Sequence, residues 1–484
     1  MDNNDLPSQN PVARDMSSNA IGPTELASIT GGTWEAPPDP AWSLKRMQRM
    51  RNVGRYPKGA VLSGTLAYAH DPVKLAERFE NDTQGSKDVV LMIRSDVAPP
   101  PVSCAVLRVP DVSKAANTVA RKRRDAFNGA VIAVTGSMGK TTVTSMLNAT
   151  LSRQHTVFSP RSDKNGMASM RSRALRLGNE DYAVLEVPRA VLPGAEQILG
   201  PDVAVITAIA EAHMEAFGSL RETAQTKATL LEGLSEEGVA VINIDAPHSE
   251  ILMASANKNS DRVITYGVAR DADIRLSDYD AHSRQVTAVS LDRTLKYTLG
   301  ASGKHNALNS LAVLGVIEAL GLDVQEHLQG LADFRAVEGR GEVTVVERPL
   351  RRLTVVDQTF NANPASVRAA MTDFAEQYSG SHRILALGDM LELGPNEAEL
   401  HAELSPAIAA SEPDKVYLVG PLMVNAWKAL PDKIRGAHVM TPEQLIALLQ
   451  ADIREDAAVL LKASHGTGLN RVAEAMKSTN WRLA

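Results

Sequence analysis

The residues best suited to chemistry stand together at Val134-Thr135-Gly136-Ser137-Met138-Gly139-Lys140-Thr141-Thr142. An apolar run, Ala130 to Val134, precedes them and reads as a buried parallel strand, and Val143 to Leu151 after them is compatible with a helix. A strand, a glycine turn and a helix start aim backbone N–H groups at one point, where the positive helix end favours an anion. Gly136, Ser137, Met138, Gly139, Lys140, Thr141 and Thr142 therefore form a candidate nucleotide cradle, with Lys140 reaching the outer phosphates and the Thr141 hydroxyl available to Mg²⁺. The spacing is compressed. Val134 stands where the first glycine of G-x-x-x-x-G-K-[ST] would fall.

Other groups follow strands in the same way. Glu186 ends the run Ala183-Val184-Leu185, so its carboxylate emerges at the carboxyl edge of a sheet, where it can hold Mg²⁺ or simply cap the next segment. His213 follows the strand pattern Val203 to Thr207; alone it reads as a structural histidine, and beside Glu186 and the loop as a metal ligand. Lys227, in a helical stretch, reads as a solvated charge. Farther on, Asp357 ends a strand and could accept ribose hydroxyls, Gly388-Asp389-Met390 repeats that pattern, and Arg340 between Gly339 and Gly341 could meet a phosphate or mark a hinge. In Asn361-Ala362-Asn363-Pro364 the composition says turn and helix cap. Gly466-Thr467-Gly468 is no dinucleotide fingerprint, because Arg471 occupies the last glycine position.

The elements that must position these groups alternate strand and helix, which predicts an α/β protein with mostly parallel sheets. The 484 residues exceed one core and suggest about three domains. The expected divisions are a flexible tail over 1–40, a small α/β substrate-binding module over 41–128, a central P-loop NTPase-like domain over 129–338 and a Rossmann-like α/β domain over 339–484. Strands are expected at Tyr182–Val187, Val203–Ala208, Val239–Ile244, Leu353–Val356, Arg383–Leu387, Lys415–Val419 and Ala458–Leu461, with an antiparallel addition from Val263 to Leu299. Helices are expected around Pro72 to Asn81 and from Leu308 to Leu320.

Composition narrows the function. With 44% hydrophobic and 22% charged residues and a formal net charge of −6, nothing favours nucleic acid or an acidic membrane as partner. The strip Arg121-Lys122-Arg123-Arg124 reads as a solvated helix end. One cysteine, Cys104, excludes an intrachain disulfide framework and a thiolate zinc cluster. No apolar run approaches the roughly 20 residues of a membrane span, and the start lacks a signal-peptide pattern, so the cytoplasm is the expected location.

Taken in order, these motifs resemble the Mur ligase family, most closely its members that add D-alanyl-D-alanine to a muramoyl tripeptide. T-G-S-M-G-K-T-T at 135–142 is similar to that family's compressed loop, and the likeness continues through Glu186, A-H-M-E-A-F-G-S at 212–219, A-Q-T-K at 224–227 and N-I-D at 243–245. It runs on through K-H-N-A-L-N at 304–309, G-R at 339–340, N-A-N-P at 361–364 and G-D-M-L-E-L-G at 388–394. The resemblance implies an ATP- and Mg²⁺-dependent ligase that activates a small-molecule carboxylate as an acyl phosphate for attack by an amine. It implies catalytic roles for Lys140, Lys227 and His213, and metal ligation by Thr141, Glu186, His213 and Lys227, the last as a carbamate. It also places His305 and Asn309 around the adenine, Arg340 on phosphate and Asp357 on ribose.

Two departures bear on substrate. The chain reads D-Q-T-F-N-A-N-P at 357–364 where related ligases carry D-D-x-Y-N-A-N-P, so Gln358 loses a charge and Phe360 a hydroxyl. Residues 41–128 contain no D-S-R type segment of the kind associated with a uridine nucleotide, and Ser63-Gly64-Thr65-Leu66 is no substitute. The expectation is therefore an amide ligase acting on an amino acid or peptide amine in a specialised biosynthetic pathway. The alternative is the peptidoglycan precursor ligase, and a further alternative is a nucleotide-binding regulatory module without ligase activity. The sequence leaves monomer and homo-oligomer equally open.

Overall fold

The computed structural model describes residues 20–49, 64–68, 88–99, 102–160, 166–210, 219–290, 293–348, 351–453, 456–478 and 481. It is an α/β protein with three sheets, and its chain divides into two compact units. The first comprises residues 1–131, 160–183 and 190–201; the second comprises 132–159, 184–189 and 202–484. Among the described residues no helix is long and apolar enough to cross a membrane.

In the first unit, β1 (Thr33–Ala36), β2 (Arg46–Arg49), β3 (Thr65–Tyr68), β4 (Val89–Arg94) and β5 (Ala105–Val109) form a sheet in the order β1-β5-β4-β3-β2. Only the β1–β5 pair is antiparallel. Val89 to Ile93 are all buried, which is why β4 reads as a continuous apolar run. The helix Val112–Asp125 packs Val112, Ala115, Ala116 and Val119 into the same core as Leu66, Met92 and Leu107.

Two expectations change here. Residues 20–40 are folded, not a flexible tail: Pro23–Thr30 is a helix that buries Leu26, and β1 pairs with β5. Gly31 closes that helix at φ +62°, where its N–H reaches two helix carbonyls. The basic strip is a solvated helix end only in its first half, where Arg121 and Lys122 are exposed. Arg123 and Arg124 are buried, and Arg124 donates to the carbonyls of Leu199 (2.7 Å) and Gly200 (2.8 Å), so its charge serves packing. The helix expected around Pro72 to Asn81 lies outside the described residues.

A nine-stranded sheet contains β6 (Ala130–Thr135), β7 (Val157–Phe158), β8 (Tyr182–Glu186), β9 (Val203–Ile206), β10 (Val239–Asn243), β11 (Arg262–Gly267), β12 (Ile274–Asp280), β13 (Gln285–Ser290) and β14 (Arg293–Thr298). Its order is β14-β13-β12-β11-β10-β9-β6-β8-β7. The antiparallel addition is smaller than expected. The helix Ser249–Asn259 supplies the crossover that lays β11 parallel on β10, β12 pairs parallel with β11, and only β12-β13-β14 alternate in direction.

The third sheet contains β15 (Glu342–Arg348), β16 (Arg351–Gln358), β17 (His382–Gly388), β18 (Lys415–Val419), β19 (Arg435–Val439) and β20 (Ala457–Lys462), ordered β15-β16-β20-β17-β18-β19. Beyond the β15–β16 hairpin every pair is parallel. Alternate residues serve opposite faces: Leu385, Leu387, Ala458 and Leu460 pack with the helix Pro364–Gln377, while Ile384, Ala386, Val459 and Leu461 pack with Pro442–Asp452 and Asn470–Lys477. Asp357 and Lys462 consequently stand at the carboxyl ends of adjacent strands.

Candidate active site

The described residues of the candidate site all lie in the second unit. Its base is the turn between β6 and the helix Lys140–Leu151. Gly136 (φ +155°) and Gly139 (φ +83°) both occupy backbone conformations that side chains resist. A Cβ at Gly136 would overlap the Thr207 hydroxyl, and one at Gly139 would press on Oδ1 of Asn309. Close approach of neighbouring chain, as much as φ, thus demands glycine at both places. Ser137 N–H donates to Ala208 O at 2.6 Å, and the Thr207 hydroxyl bonds the Thr135 carbonyl (3.2 Å) and the Met138 carbonyl, so the loop is pinned from the end of β9. The Ser137 hydroxyl is buried with no hydrogen-bond partner among the described residues, which fits a cradle for phosphate oxygens.

Lys140 Nζ donates to Gly136 O at 2.7 Å and Ser137 O at 3.4 Å, curling back over the loop. Burial lowers its pKa; Glu186 opposes that shift and Arg340 adds to it. Thr141 Oγ1 donates to Glu186 Oε2 at 2.6 Å, so the hydroxyl and carboxylate expected to share a magnesium ion are side by side. Both are hard oxygen donors, and this pair fits Mg²⁺.

Lys227 lies in the helix Leu220–Ala228, which Ser219 caps by accepting from Glu222 N–H at 3.2 Å. It is not a solvated helix lysine. Its side chain is buried, and its pKa falls well below the ordinary lysine value, through burial first and then through the charges of Lys140 and Arg189. No carboxylate pairs with it among the described residues. A buried amine ringed by cations suits conversion to an anion far better than it suits an ammonium.

Arg340 follows Gly339 in the turn that leads into β15, where its N–H donates to Val337 O at 2.8 Å. Its guanidinium carbon lies 3.7 Å from the centroid of the Phe360 ring, a stacked cation–π contact. Burial lowers its pKa and Glu186 raises it, so it shares the field of the loop. Asn309 also joins the loop, at Gly139. His305 takes another partner: its Nδ1 lies 2.6 Å from Asp373 Oδ2 on the helix Pro364–Gln377, and Asp373 also accepts Lys304 N–H at 3.2 Å. Asp357 is buried and held by Thr359 (hydroxyl at 2.7 Å) and Lys477 (3.2 Å). His213 and its flanking residues 211–218 lie outside the described residues, and among the described ones no group of three or more His, Cys, Asp or Glu forms a metal cluster.

Three participants escaped sequence reasoning. Thr207 clamps the loop and Arg189 charges the surroundings of Lys227. The third, Lys462, is buried at the end of β20 with a pKa pushed down to about 7 by burial and by Arg340. It had a signal: Ala457-Ala458-Val459-Leu460-Leu461-Lys462 ends an apolar strand in a charge just as Tyr182 to Glu186 does.

Comparison with known proteins bears on the fold and the family. Residues 134–317 match the family model for the Mur ligase middle domain, and residues 339–465 match that for the Mur ligase glutamate ligase domain. The UDP-N-acetylmuramoyl-tripeptide–D-alanyl-D-alanine ligase of Bacillus subtilis is 30% identical over 420 residues, spanning 83% of this chain and 89% of the relative. Among solved structures, MurF from Acinetobacter baumannii superposes with a TM-score of 0.80 at 23% identity, covering 95% of this chain and 99% of that one. MurF from Thermotoga maritima in complex with ADP superposes with a TM-score of 0.75 at 23% identity, covering 89% and 96%.

Proposed function

From the premise that this chain belongs to the Mur ligase family, we propose that it joins D-alanyl-D-alanine to a UDP-N-acetylmuramoyl tripeptide. The family activity is settled: the chain is an amide ligase that uses ATP and Mg²⁺ and releases ADP and phosphate. The finer assignment rests on one observation, the alignment with the Bacillus subtilis ligase across most of both chains.

The residues divide the work as follows. Backbone N–H groups of the loop and the Lys140 ammonium bind the β- and γ-phosphates of ATP, with the Ser137 hydroxyl at hand. Thr141 and Glu186 would hold Mg²⁺, which neutralises charge on the phosphates when bound. The substrate carboxylate attacks the γ-phosphorus, ADP leaves and an acyl phosphate forms. The amine then attacks the acyl carbon, phosphate departs with its bonding oxygen, and the amine's extra proton passes to solvent or a base. Arg340, stiffened on Phe360, is poised for the equatorial oxygens of the transferred group. Lys227 suits a carbamate: its depressed pKa leaves the amine neutral and able to add CO₂, and the resulting anion meets the charges of Lys140 and Arg189.

A second reading, ligation of a different amino acid or peptide amine in a specialised pathway, draws on Gln358, Phe360 and the missing D-S-R segment. It is the weaker one, because the alignment reaches well beyond the motifs. Incubating the enzyme with ATP, UDP-N-acetylmuramoyl tripeptide and a panel of amines, and measuring ADP and product mass, separates the two. Turnover of D-alanyl-D-alanine supports the proposal; turnover of another amine in its place supports the second reading.

A further inference from the structure

The helix Lys304–Ala319 begins without a cap of its own. Its N-cap residue is Gly303, which has no side chain to offer the unsatisfied N–H groups of the first turn. The acceptor comes instead from the helix Pro364–Gln377, where Asp373 takes Lys304 N–H on Oδ1 (3.2 Å) and His305 Nδ1 on Oδ2 (2.6 Å). A carboxylate only accepts, so Nδ1 carries the proton of that bond and the ring is held. Gly303 makes room for this arrangement. At its φ of +106°, a Cβ would lie 2.5 Å from the His305 ring and 2.9 Å from Asp373 Oδ2. The Asp373 side chain is only 13% exposed, which lifts the pair above an ordinary surface ion pair. Its charge also sits at the positive end of the helix it caps.

That helix leads to the phosphate loop. Asn309 lies one turn beyond His305 on the same face, and its Oδ1 fills the space that a side chain at Gly139 would need. The first turn is thus held by Asp373 at one end and set against the loop at the other. The two ends belong to different parts of the family match. His305 and Asn309 fall in the stretch that matches the middle domain, and Asp373 falls in the stretch that matches the glutamate ligase domain.

We propose that Asp373 is a positioning residue for nucleotide binding: it holds the first turn of Lys304–Ala319, and through it Asn309, against the phosphate loop. The loop's grip on nucleotide then depends on a carboxylate from the helix Pro364–Gln377. This rests on the reading of that loop as the ATP site.

The test titrates ADP with Mg²⁺ into wild type, Asp373→Asn, Asp373→Glu, Asn309→Ala and the double variant Asp373→Asn with Asn309→Ala; KM for ATP, kcat and Tm are measured alongside. Asp373→Asn keeps the size of the side chain and removes its charge. The expected result is a roughly 5- to 30-fold rise in the Kd for ADP and the KM for ATP, part of what a charge-assisted hydrogen bond is worth, with kcat within about threefold of wild type. Asp373→Glu, which keeps the charge, should recover part of that affinity. Asn309→Ala should also weaken binding, and adding Asp373→Asn to it should cost little more, because both act through one helix. A lower Tm for Asp373→Asn with ADP affinity unchanged would make the contact a structural cap and overturn the proposal, as would losses that multiply in the double variant. A wild-type protein that binds no ADP overturns the ATP site itself, which is a different failure.

Discussion

At the carboxyl edge of the nine-stranded sheet, Lys140 opens a helix behind two positive-φ glycines and Glu186 ends β8 within bonding distance of Thr141. At the carboxyl edge of the third sheet, Asp357 and Lys462 end adjacent strands, and no pair of positive-φ glycines follows either one. The first edge presents backbone N–H groups to one point, a geometry that needs glycines at set spacing. The second presents buried side chains, and burial leaves little trace in local sequence.

That contrast can be attacked by mutation. The largest effect is expected for Lys140→Ala, which removes the cation at the phosphates and should lower kcat/KM by about 10²–10³. A comparable loss from Lys462→Met with ATP binding impaired would erase the distinction between the edges. Lys227→Ala should follow, with a loss of about 10² that added bicarbonate leaves unchanged, whereas wild-type activity should rise with bicarbonate when CO₂ has been stripped. An unmodified lysine would give no bicarbonate response in either protein.

Gly136→Ala probes the backbone half of the comparison. The new Cβ would overlap Thr207 at an already disfavoured φ, so a destabilisation of about 1–3 kcal/mol is expected, with weakened ATP binding, by thermal melts and nucleotide titration. Unchanged ATP affinity would mean that the loop tolerates other geometries.

Lys462 supplies the pH test. Burial and Arg340 depress its pKa from 10.5 to about 7. Between those values the unfolded chain binds a proton that the folded chain does not, so this group makes stability rise with pH across that window and is most costly below pH 7. Lys462→Met should therefore raise Tm most at pH 6–7, and the gain should shrink toward pH 10. A constant difference would mean that the lysine is not held neutral by its site. Smallest of all is Phe360→Tyr, which keeps the ring under Arg340 and should change kcat/KM by less than about threefold.

How much was legible follows the same line. The compressed loop, Glu186 and the strands of the second and third sheets stood out, because each depends on local φ or on runs of buried residues. Lys227 looked solvated because nothing within its helix reveals that Lys140 and Arg189 surround it. The pairing of His305 with Asp373 and the approach of Asn309 to Gly139 join residues far apart in sequence. The N-terminal helix and β1 read as tail in the sequence because β1 is a short edge strand with mostly exposed side chains and lacks alternation. Lys462 reads in the sequence as the polar boundary of a strand, and only its burial in the fold sets it apart.

One measurement bears on the central claim most directly: ADP formation by the purified chain with ATP and Mg²⁺, in the presence of UDP-N-acetylmuramoyl tripeptide and D-alanyl-D-alanine together and of each alone. The account predicts sustained ADP release only with both, in equal amount with a product of the pentapeptide's mass. ADP release that ignores the amine, or none with any carboxylate and amine pair, would contradict it.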